Sequence, residues 1–365
     1  MTTSTLTVGI VGLGYGRAHI PAFQANGCRV VALCQRDRGA AEAVARRYDV
    51  PQVFARWEEM LDVARPGIVA VAVPPHLHRA IALGALERGA HVLCEKPLAM
   101  TVDEARDMAE AAARAGRVAM TSFNWRFPAA MQELRARVRD GAVGRVFHVA
   151  ARWRGGRMAN ADEAPNWRMD REQAGHGAMG DQGVHVIDLV RWTFGEFRRV
   201  AAHAGIAYPE RPATADKPTD AEDHCAVLAE LVDGTHVSFD VSRVAHGVTE
   251  QALDVFGALG TLSYRHRRAG AGWWDGTLAA SEGGAPLRPV PPREAAPLPP
   301  GDDADPLDIV GRATIAPLVA RMLEAIERGV PGSPSFDDGV RAQAVLDAVI
   351  DAASHRRWVE VGDLA

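Results

Sequence analysis

Lysine is nearly missing from this sequence. Of the 41 basic residues in 365, only Lys96 and Lys217 are lysines. A lysine kept against an arginine background is a candidate for work a guanidinium does badly. A compact ammonium shifts its pKa readily and donates as a point charge, although chance retention explains a single residue equally well. Cysteine is also scarce. Cys28, Cys34, Cys94 and Cys225 stand far apart, which excludes a disulfide framework and a CxxC metal knuckle and leaves ordinary thiols of a reducing compartment. Positive charge is not in excess, with 41 basic against 46 acidic residues and a net charge of -5. Such a surface has no general attraction for nucleic acid. Long apolar runs are absent too: the most apolar stretch, residues 67–73, falls far short of the roughly 20 residues a membrane helix needs. The opening MTTSTLTVGIVGLG has no basic residue ahead of its apolar run, unlike a secretory signal. The expectation is a cytoplasmic protein with neither a membrane nor a nucleic-acid partner.

What is present looks globular, with 47% hydrophobic and 24% charged residues. At about 150 residues per domain, the length predicts two domains. The first third alternates between short β-branched runs and Ala/Glu/Arg-rich stretches. Strands are expected at 6–11, 29–33, 68–73, 91–94 and 118–122, and helices at 16–24, 38–48, 58–64, 78–88 and 102–115. Glycines and prolines punctuate them, and Pro21 lies early enough in its helix to be tolerated. Repeated strand–helix units imply a doubly wound parallel sheet with helices on both faces. Beyond it, strand-like runs at 146–153, 225–231, 236–244, 252–256 and 260–264 precede two helical stretches at 314–328 and 337–354. The proline- and glycine-rich segment 283–306 reads as a long loop or an edge excursion.

The first strand ends in Gly12-Leu13-Gly14-Tyr15-Gly16-Arg17. Glycines between a first strand and a first helix let the backbone approach a pyrophosphate, which the helix N-terminus stabilises. The third glycine of G-x-G-x-x-G would be residue 17; here Gly16 comes one place early and Arg17 stands there. A plain tight turn is the alternative. NAD binders usually carry an acid at the end of the second strand to hold the ribose hydroxyls. This chain has Gln35 there, followed by Arg36 and Asp37. Arg36 suits an adenine face or a 2′-phosphate. Asp37 either reaches the ribose or lies in a solvated loop. NAD and NADP both stay open, with a lean toward NADP or dual use. Pro74 and His76 follow the strand at 68–73, at the carboxyl end of a parallel strand where a cofactor crevice forms. His76 and His78 have no third ligand tied to them by spacing, so no metal site is assigned.

At Cys94-Glu95-Lys96-Pro97-Leu98-Ala99 a distinctive string appears. The segment 69–99 (VAVAVPPHLHRAIALGALERGAHVLCEKPLA) closely resembles the Gfo/Idh/MocA family of glucose–fructose oxidoreductase and inositol dehydrogenase-like enzymes. Asn124-Trp125-Arg126-Phe127-Pro128, GHGAMGDQGVHVID at 175–188 and PSFDDGVRAQAVLD at 334–347 add further matches, in order along nearly the whole chain. The resemblance implies a nicotinamide-binding Rossmann domain, placed at 1–122. It implies a second α/β domain on a large, mostly antiparallel sheet, placed at 123–365 and serving substrate binding and oligomerisation. Homodimers or homotetramers are implied by the same likeness.

The resemblance also supplies site residues. Lys96 aligns with the active-site lysine of E-K-P, and Asp181 and His185 with the pair in D-x-G-x-H. If helical, the two latter share one face. An imidazole titrates near working pH, so His185 is the expected general acid/base. Asp181 then holds the reacting or a neighbouring hydroxyl, and Lys96 the reacting oxygen. Glu95, Trp125 and Arg126 are expected on the cofactor side, where Glu95 either orients its loop or touches the cofactor. Pro97 is a candidate for a cis peptide. Trp153, Arg154, Trp167 and Arg168 are candidates for the substrate, since aromatic faces and guanidinium forks suit sugars; packing and surface charge are the plainer alternative. The expected activity is hydride transfer between a nicotinamide and a ring hydroxyl or ketone of a sugar, cyclic polyol such as an inositol, or sugar derivative. Redox-neutral NAD-dependent glycoside cleavage and a non-catalytic nucleotide sensor are the alternatives on the same fold.

Overall fold

A computed structural model describes residues 6–211, 219–267, 273–293 and 305–362. Lys217 and much of the 283–306 segment lie outside them. Contacts divide the described chain into two units. Residues up to Asn124 group with those from Asp305 to Val340, and residues from Trp125 to 293 group with those from Arg341 onward.

The first unit holds a six-stranded sheet: β1 Thr7–Val11, β2 Arg29–Cys34, β3 Gln52–Phe54, β4 Ile68–Val71, β5 His91–Cys94 and β6 Ala119–Thr121. Its order is β3-β2-β1-β4-β5-β6, and every pairing is parallel. That is the dinucleotide-binding order, with the reversal of strand order between β1 and β4. The strands are apolar on both sides because helices cover both faces; all four residues of β4 are 0% exposed. Local chemistry fixes the helix ends. Asp37 caps helix Arg38–Tyr48 by accepting from the Ala40 amide at 3.0 Å. Thr101 caps Val102–Ala115, whose other end stops at Gly116 in the left-handed region.

The first helix departs from expectation. A 3-10 turn, Tyr15–Ala18, precedes helix His19–Ala25. Gly311 packs against this region: a Cβ there would meet the Ala18 carbonyl oxygen at 2.2 Å. Residues 305–340 thus close over the first helix, and Asn26 donates to the Ala316 carbonyl at 3.0 Å. No local signal in 305–340 announces this return to a helix 290 residues upstream.

The second unit is built on nine strands: β7 Val146–Arg154, β8 Phe197–Gly205, β9 His224–Leu231, β10 His236–Ser242, β11 Glu250–Gly257, β12 Gly260–Arg267, β13 Thr277–Glu282, β14 Arg288–Val290 and β15 Val359–Glu360. Their order is β14-β13-β12-β11-β7-β10-β9-β8-β15. Only the central β7–β10 pair is parallel. Along these strands buried and part-exposed residues alternate, as in a sheet covered on one face. Val149, Ala151 and Trp153 of β7 point to the covered face, toward helix Val184–Phe194. The other face carries a lattice of cross-strand ion pairs, Arg152–Glu250, Arg154–Asp240 and Arg265–Asp254.

Candidate active site

In the first unit the expected cofactor residues sit at the carboxyl edge of β1, β2, β4 and β5. Gly12 has a φ of +90, and a Cβ on it would lie 2.3 Å from the Ala72 carbonyl oxygen. No other residue type fits there without moving the turn after β4. Gly14 is exposed with nothing within 4 Å of its Cβ position, whereas a Cβ on Gly16 would press on Ala72 at 3.0 Å. One glycine shapes the loop, one opens it and one seats it. Arg17 reaches Asp305 at 3.9 Å. Gln35 accepts from the Leu13 amide at 3.2 Å, tying the end of β2 to the glycine loop. Asp37 is occupied as a helix cap, and Arg36 is exposed.

Pro74 and His76 lie in the turn after β4, with His76 exposed in the 3-10 turn Pro75–Leu77. His78, expected only to begin a helix, is fully buried. Its Nε2 lies 2.9 Å from the Val73 carbonyl oxygen and its Nδ1 3.0 Å from that of Pro97. One ring therefore ties the turn after β4 to the turn after β5. Burial pushes this imidazole down, and its bonds to the carbonyls oppose the shift only in part. The Lys96–Pro97 peptide is cis.

Glu95 is buried, and its Oε1 accepts from His19 Nε2 at 2.8 Å. Its Oε2 accepts from the Lys96 amide at 3.3 Å. Burial pushes the carboxyl up. The His19 hydrogen bond and charge, followed by the Lys96 charge, outweigh that and hold it below its ordinary value. His19 escaped the sequence reading: a lone histidine on a short helix carries no signal when its partner lies 76 residues away.

In the second unit four rings form a ladder. His185 lies flat against Trp153, centroids 5.2 Å apart at 21°. Trp153 meets Trp125 edge-on at 5.5 Å, and Trp125 meets His266 at 4.9 Å. Register assembles it: Trp153 pairs with Gln251, and Gln251 with His266, across β7, β11 and β12. Gln251 is 3% exposed, and its side-chain oxygen has no hydrogen-bond partner among the described residues. Gln251 and His266 were not anticipated, because only strand pairing brings them beside Trp153.

Asp181 lies in a π turn, Met179–Gly183, that runs into helix Val184–Phe194. The expected pair therefore stands on continuous helix, with one wider turn between Asp181 and His185. Such π turns recur at functional sites. The chain enters it through Gly177, whose Cβ would lie 1.9 Å from the Glu222 carbonyl oxygen, and Glu222 Oε1 accepts from the Gly177 and Met179 amides at 2.8 and 3.1 Å. Arg168 stacks over Trp167 at 4.2 Å. Burial pushes its guanidinium down, the Asp181 carboxylate opposes this, and Arg157 and Arg243 reinforce it. The loop is pinned by buried Arg243, which donates to the Arg168 carbonyl at 2.7 Å and to Asp223 at 2.9 Å.

Two expected residues face elsewhere. Arg154 points to the opposite side of β7 from Trp153 and grips Asp240 through both nitrogens, at 2.6 and 2.8 Å. Arg126 is buried in a two-pronged pair with Asp188, its Nε donating at 2.8 Å. Among the described residues no His/Cys/Asp/Glu group has metal-holding geometry, and no helix is long and apolar enough to cross a membrane.

Comparison with known proteins gives a consistent picture. Residues 6–123 match the model of an oxidoreductase family with an NAD-binding Rossmann fold, and residues 131–263 match the GFO/IDH/MocA C-terminal domain. An uncharacterized oxidoreductase of Synechocystis sp. is 30% identical, covering 100% of this chain and 98% of its own length. Levoglucosan dehydrogenase of Pseudarthrobacter phenanthrenivorans is 29% identical, covering 99% of each. A solved levoglucosan dehydrogenase in complex with NADH and levoglucosan superimposes with a TM-score of 0.87 at 27% identity, over 99% of this chain and 100% of that one.

Proposed function

The chain belongs to the GFO/IDH/MocA oxidoreductases, with an NAD-binding Rossmann domain, and from that premise we propose that it oxidises a ring hydroxyl of a sugar, cyclic polyol or sugar derivative, or reduces the matching ketone. The observation that carries this reading is the His185 imidazole held flat on Trp153, four residues after Asp181. The first unit's residues fit the cofactor: Gly12 admits no side chain, and Gly14 leaves open space where a pyrophosphate needs backbone. Residues 1–122 are assigned to cofactor binding and 123–365 to substrate and self-association, except 305–340, which group with the first unit, with the ion-pair face of the nine-stranded sheet as the homo-oligomer surface. The names of the levoglucosan dehydrogenase and of a D-glucoside 3-dehydrogenase from Escherichia coli, 33% identical over 56% of this chain, support a sugar substrate.

The nicotinamide, when bound, takes up or gives back the hydride. His185 removes the hydroxyl proton as the C–H electron pair departs, and returns it in the reverse direction. Asp181 accepts a hydrogen bond from the reacting or a neighbouring hydroxyl. Lys96 donates to the reacting oxygen and stabilises its alkoxide character. Trp153 fixes the plane of the His185 ring, so the base meets its proton without rotamer search. Arg168 and Trp167 contact the substrate side.

The test follows nicotinamide absorbance while inositols, aldoses, anhydrosugars and sugar acids are offered with NAD and NADP in parallel. Reduction of cofactor by a subset of the panel is the expected result. Both cofactors are needed because Gln35 and Asp37 are engaged elsewhere and Arg36 is exposed, an arrangement that tolerates a 2′-phosphate. Cofactor bound without turnover of any panel member would overturn net dehydrogenation of these substrates and turn attention to redox-neutral cleavage or sensing.

A further inference from the structure

Arg168 differs from the other arginines of the second unit. Among the described residues, every other buried or half-buried arginine there donates from its side chain to a carboxylate or a carbonyl. Arg168 is half-buried too, but only its main chain is hydrogen-bonded: the amide donates to Asn166 at 3.0 Å, and the carbonyl accepts from Arg243 at 2.7 Å. Its guanidinium lies on the face of Trp167 at 4.2 Å with its donor fork unused. A guanidinium drawn out of water without hydrogen-bond acceptors is unfavourable.

The neighbouring charges do not fill the fork. Burial pushes the guanidinium down; Asp181 opposes this by its charge alone, and Arg157 and Arg243 reinforce it. Arg243 is committed to Asp223 and to the Arg168 and Ala221 carbonyls. Arg157 stands in the same loop, 155–170, and its exposed side chain also makes no hydrogen bond among the described residues. Two guanidiniums that repel one another, neither of them hydrogen-bonded, are the charge pattern an anion would relieve. The loop that presents them is fixed. Buried Arg211 donates to its Met158 and Asn160 carbonyls at 2.8 and 2.6 Å, and Arg243 fastens its other end.

We propose that Arg168, assisted by Arg157, binds a carboxylate of the substrate, so that the sugar taken by this site is a sugar acid. The inference rests on the dehydrogenase reading above and narrows its substrate. A neutral hydroxyl would leave the repulsion between the two arginines in place. A carboxylate cancels it and accepts two parallel bonds from one guanidinium. Asp181 keeps its assigned hydroxyl, so opposite charges on the protein read a hydroxyl and a carboxylate of one molecule.

Matched sugars separate the charge from the ring. D-Glucuronate and D-glucose, like D-galacturonate and D-galactose, differ only in whether the exocyclic carbon is a carboxylate or a hydroxymethyl group. D-Glucose 6-phosphate supplies a phosphate instead. Each is titrated calorimetrically into NADH-loaded full-length protein, and each is offered with NAD and with NADP while nicotinamide absorbance is followed. At least one uronate should bind about 10-fold or more tightly than its neutral partner, as a charge-assisted pair predicts. Arg168→Gln should weaken that uronate about 10- to 100-fold more than it weakens the neutral sugar. Arg168→Lys, which keeps the charge without the fork, should recover part of the loss. Arg157→Gln should weaken the uronate by a smaller factor, since that side chain is exposed.

Equal binding of uronates and neutral sugars overturns the proposal. So does a uronate preference that survives Arg168→Gln, or tight binding confined to the phosphate. If Arg168→Gln fails to fold, judged by melting and NADH binding, Arg168→Lys and Arg157→Gln decide: a preference unmoved by both overturns it. Neutral sugars oxidised while uronates are refused would remove this inference and keep the dehydrogenase. Arg168-dependent uronate binding with no cofactor reduced would keep the carboxylate site and remove the dehydrogenase.

Discussion

In the first unit, the residues assigned to the cofactor come from four short strings, directly after β1, β2, β4 and β5. Those strands are neighbours in a parallel sheet, so their carboxyl ends lie side by side whatever the side chains are. In the second unit, Trp125, Trp153, His185, Gln251 and His266 come from a 3-10 turn, three antiparallel-sheet strands and a helix. They meet only because β7, β11 and β12 pair in one register. A one-residue slip of β11 would turn Gln251 to the ion-pair face. The first arrangement is built largely from backbone, with Gly12 and Gly16 both set against Ala72. The second is built from side chains and depends on every strand around it.

The largest effect that separates the two belongs to His185. Replacing it with Asn should lower kcat/KM by about 10²- to 10⁴-fold, the usual worth of a positioned acid/base, and leave NADH affinity unchanged. Steady-state kinetics on whichever panel sugar turns over, together with NADH fluorescence, check both halves. Weakened NADH binding in His185→Asn would break the comparison, since a side-chain arrangement in the second unit would then be controlling the backbone cradle of the first.

Next in size is the pair that anchors the ladder. Arg126 and Asp188 are each about 2% exposed, and Arg126 follows Trp125 directly. Arg126→Met strands a buried carboxylate and should cost about 3–5 kcal/mol of unfolding free energy. The double change Arg126→Met, Asp188→Leu should recover most of it, because an apolar pair of similar volume carries no desolvation debt. Denaturant melts of the three proteins check this. Full stability of the single variant would show that the second unit tolerates loss of its fixed charges as well as the first does.

The same contrast decides what could be read from sequence. The doubly wound sheet was legible, as were the E-K-P turn, the glycine loop and helix Arg38–Tyr48, because each is a local string with its own period or cap. The large antiparallel sheet was legible as a class, from alternation along β7, β9 and β10. Strands β8, β13, β14 and β15 were not, since they lie at or near the sheet's edges and carry little alternation. Arg154 looked equivalent to Trp153 until the pleat placed them on opposite faces, where Arg154 meets Asp240. His19 and His78 looked unremarkable because their partners, Glu95 and the Pro97 carbonyl, lie a strand or more away in sequence.

His78 gives the smallest predicted effect and the sharpest local test of the first unit. Its side chain lies between two strand-end turns, against the Val73 and Pro97 carbonyls. Burial pushes its folded-state pKa below the ordinary histidine value. The unfolded chain therefore binds more protons than the folded chain between the ordinary value near 6.5 and the lower folded one, and stability must fall as pH drops through that window. The slope is at most about 1.4 kcal/mol per pH unit for one group. His91 is pushed the same way, by burial and then by Arg117, so the total slope below pH 6.5 belongs to both. The difference between wild type and His78→Asn isolates His78. Melting temperatures taken from about pH 7 to about pH 5 should fall less steeply in the variant. The variant should start lower at pH 7, where the wild type's two carbonyl contacts are intact. Parallel curves would mean that His78 binds protons alike in the folded and unfolded chain; a wild type that falls less steeply than the variant would mean that His78 is protonated when folded, both ring nitrogens donating to carbonyls.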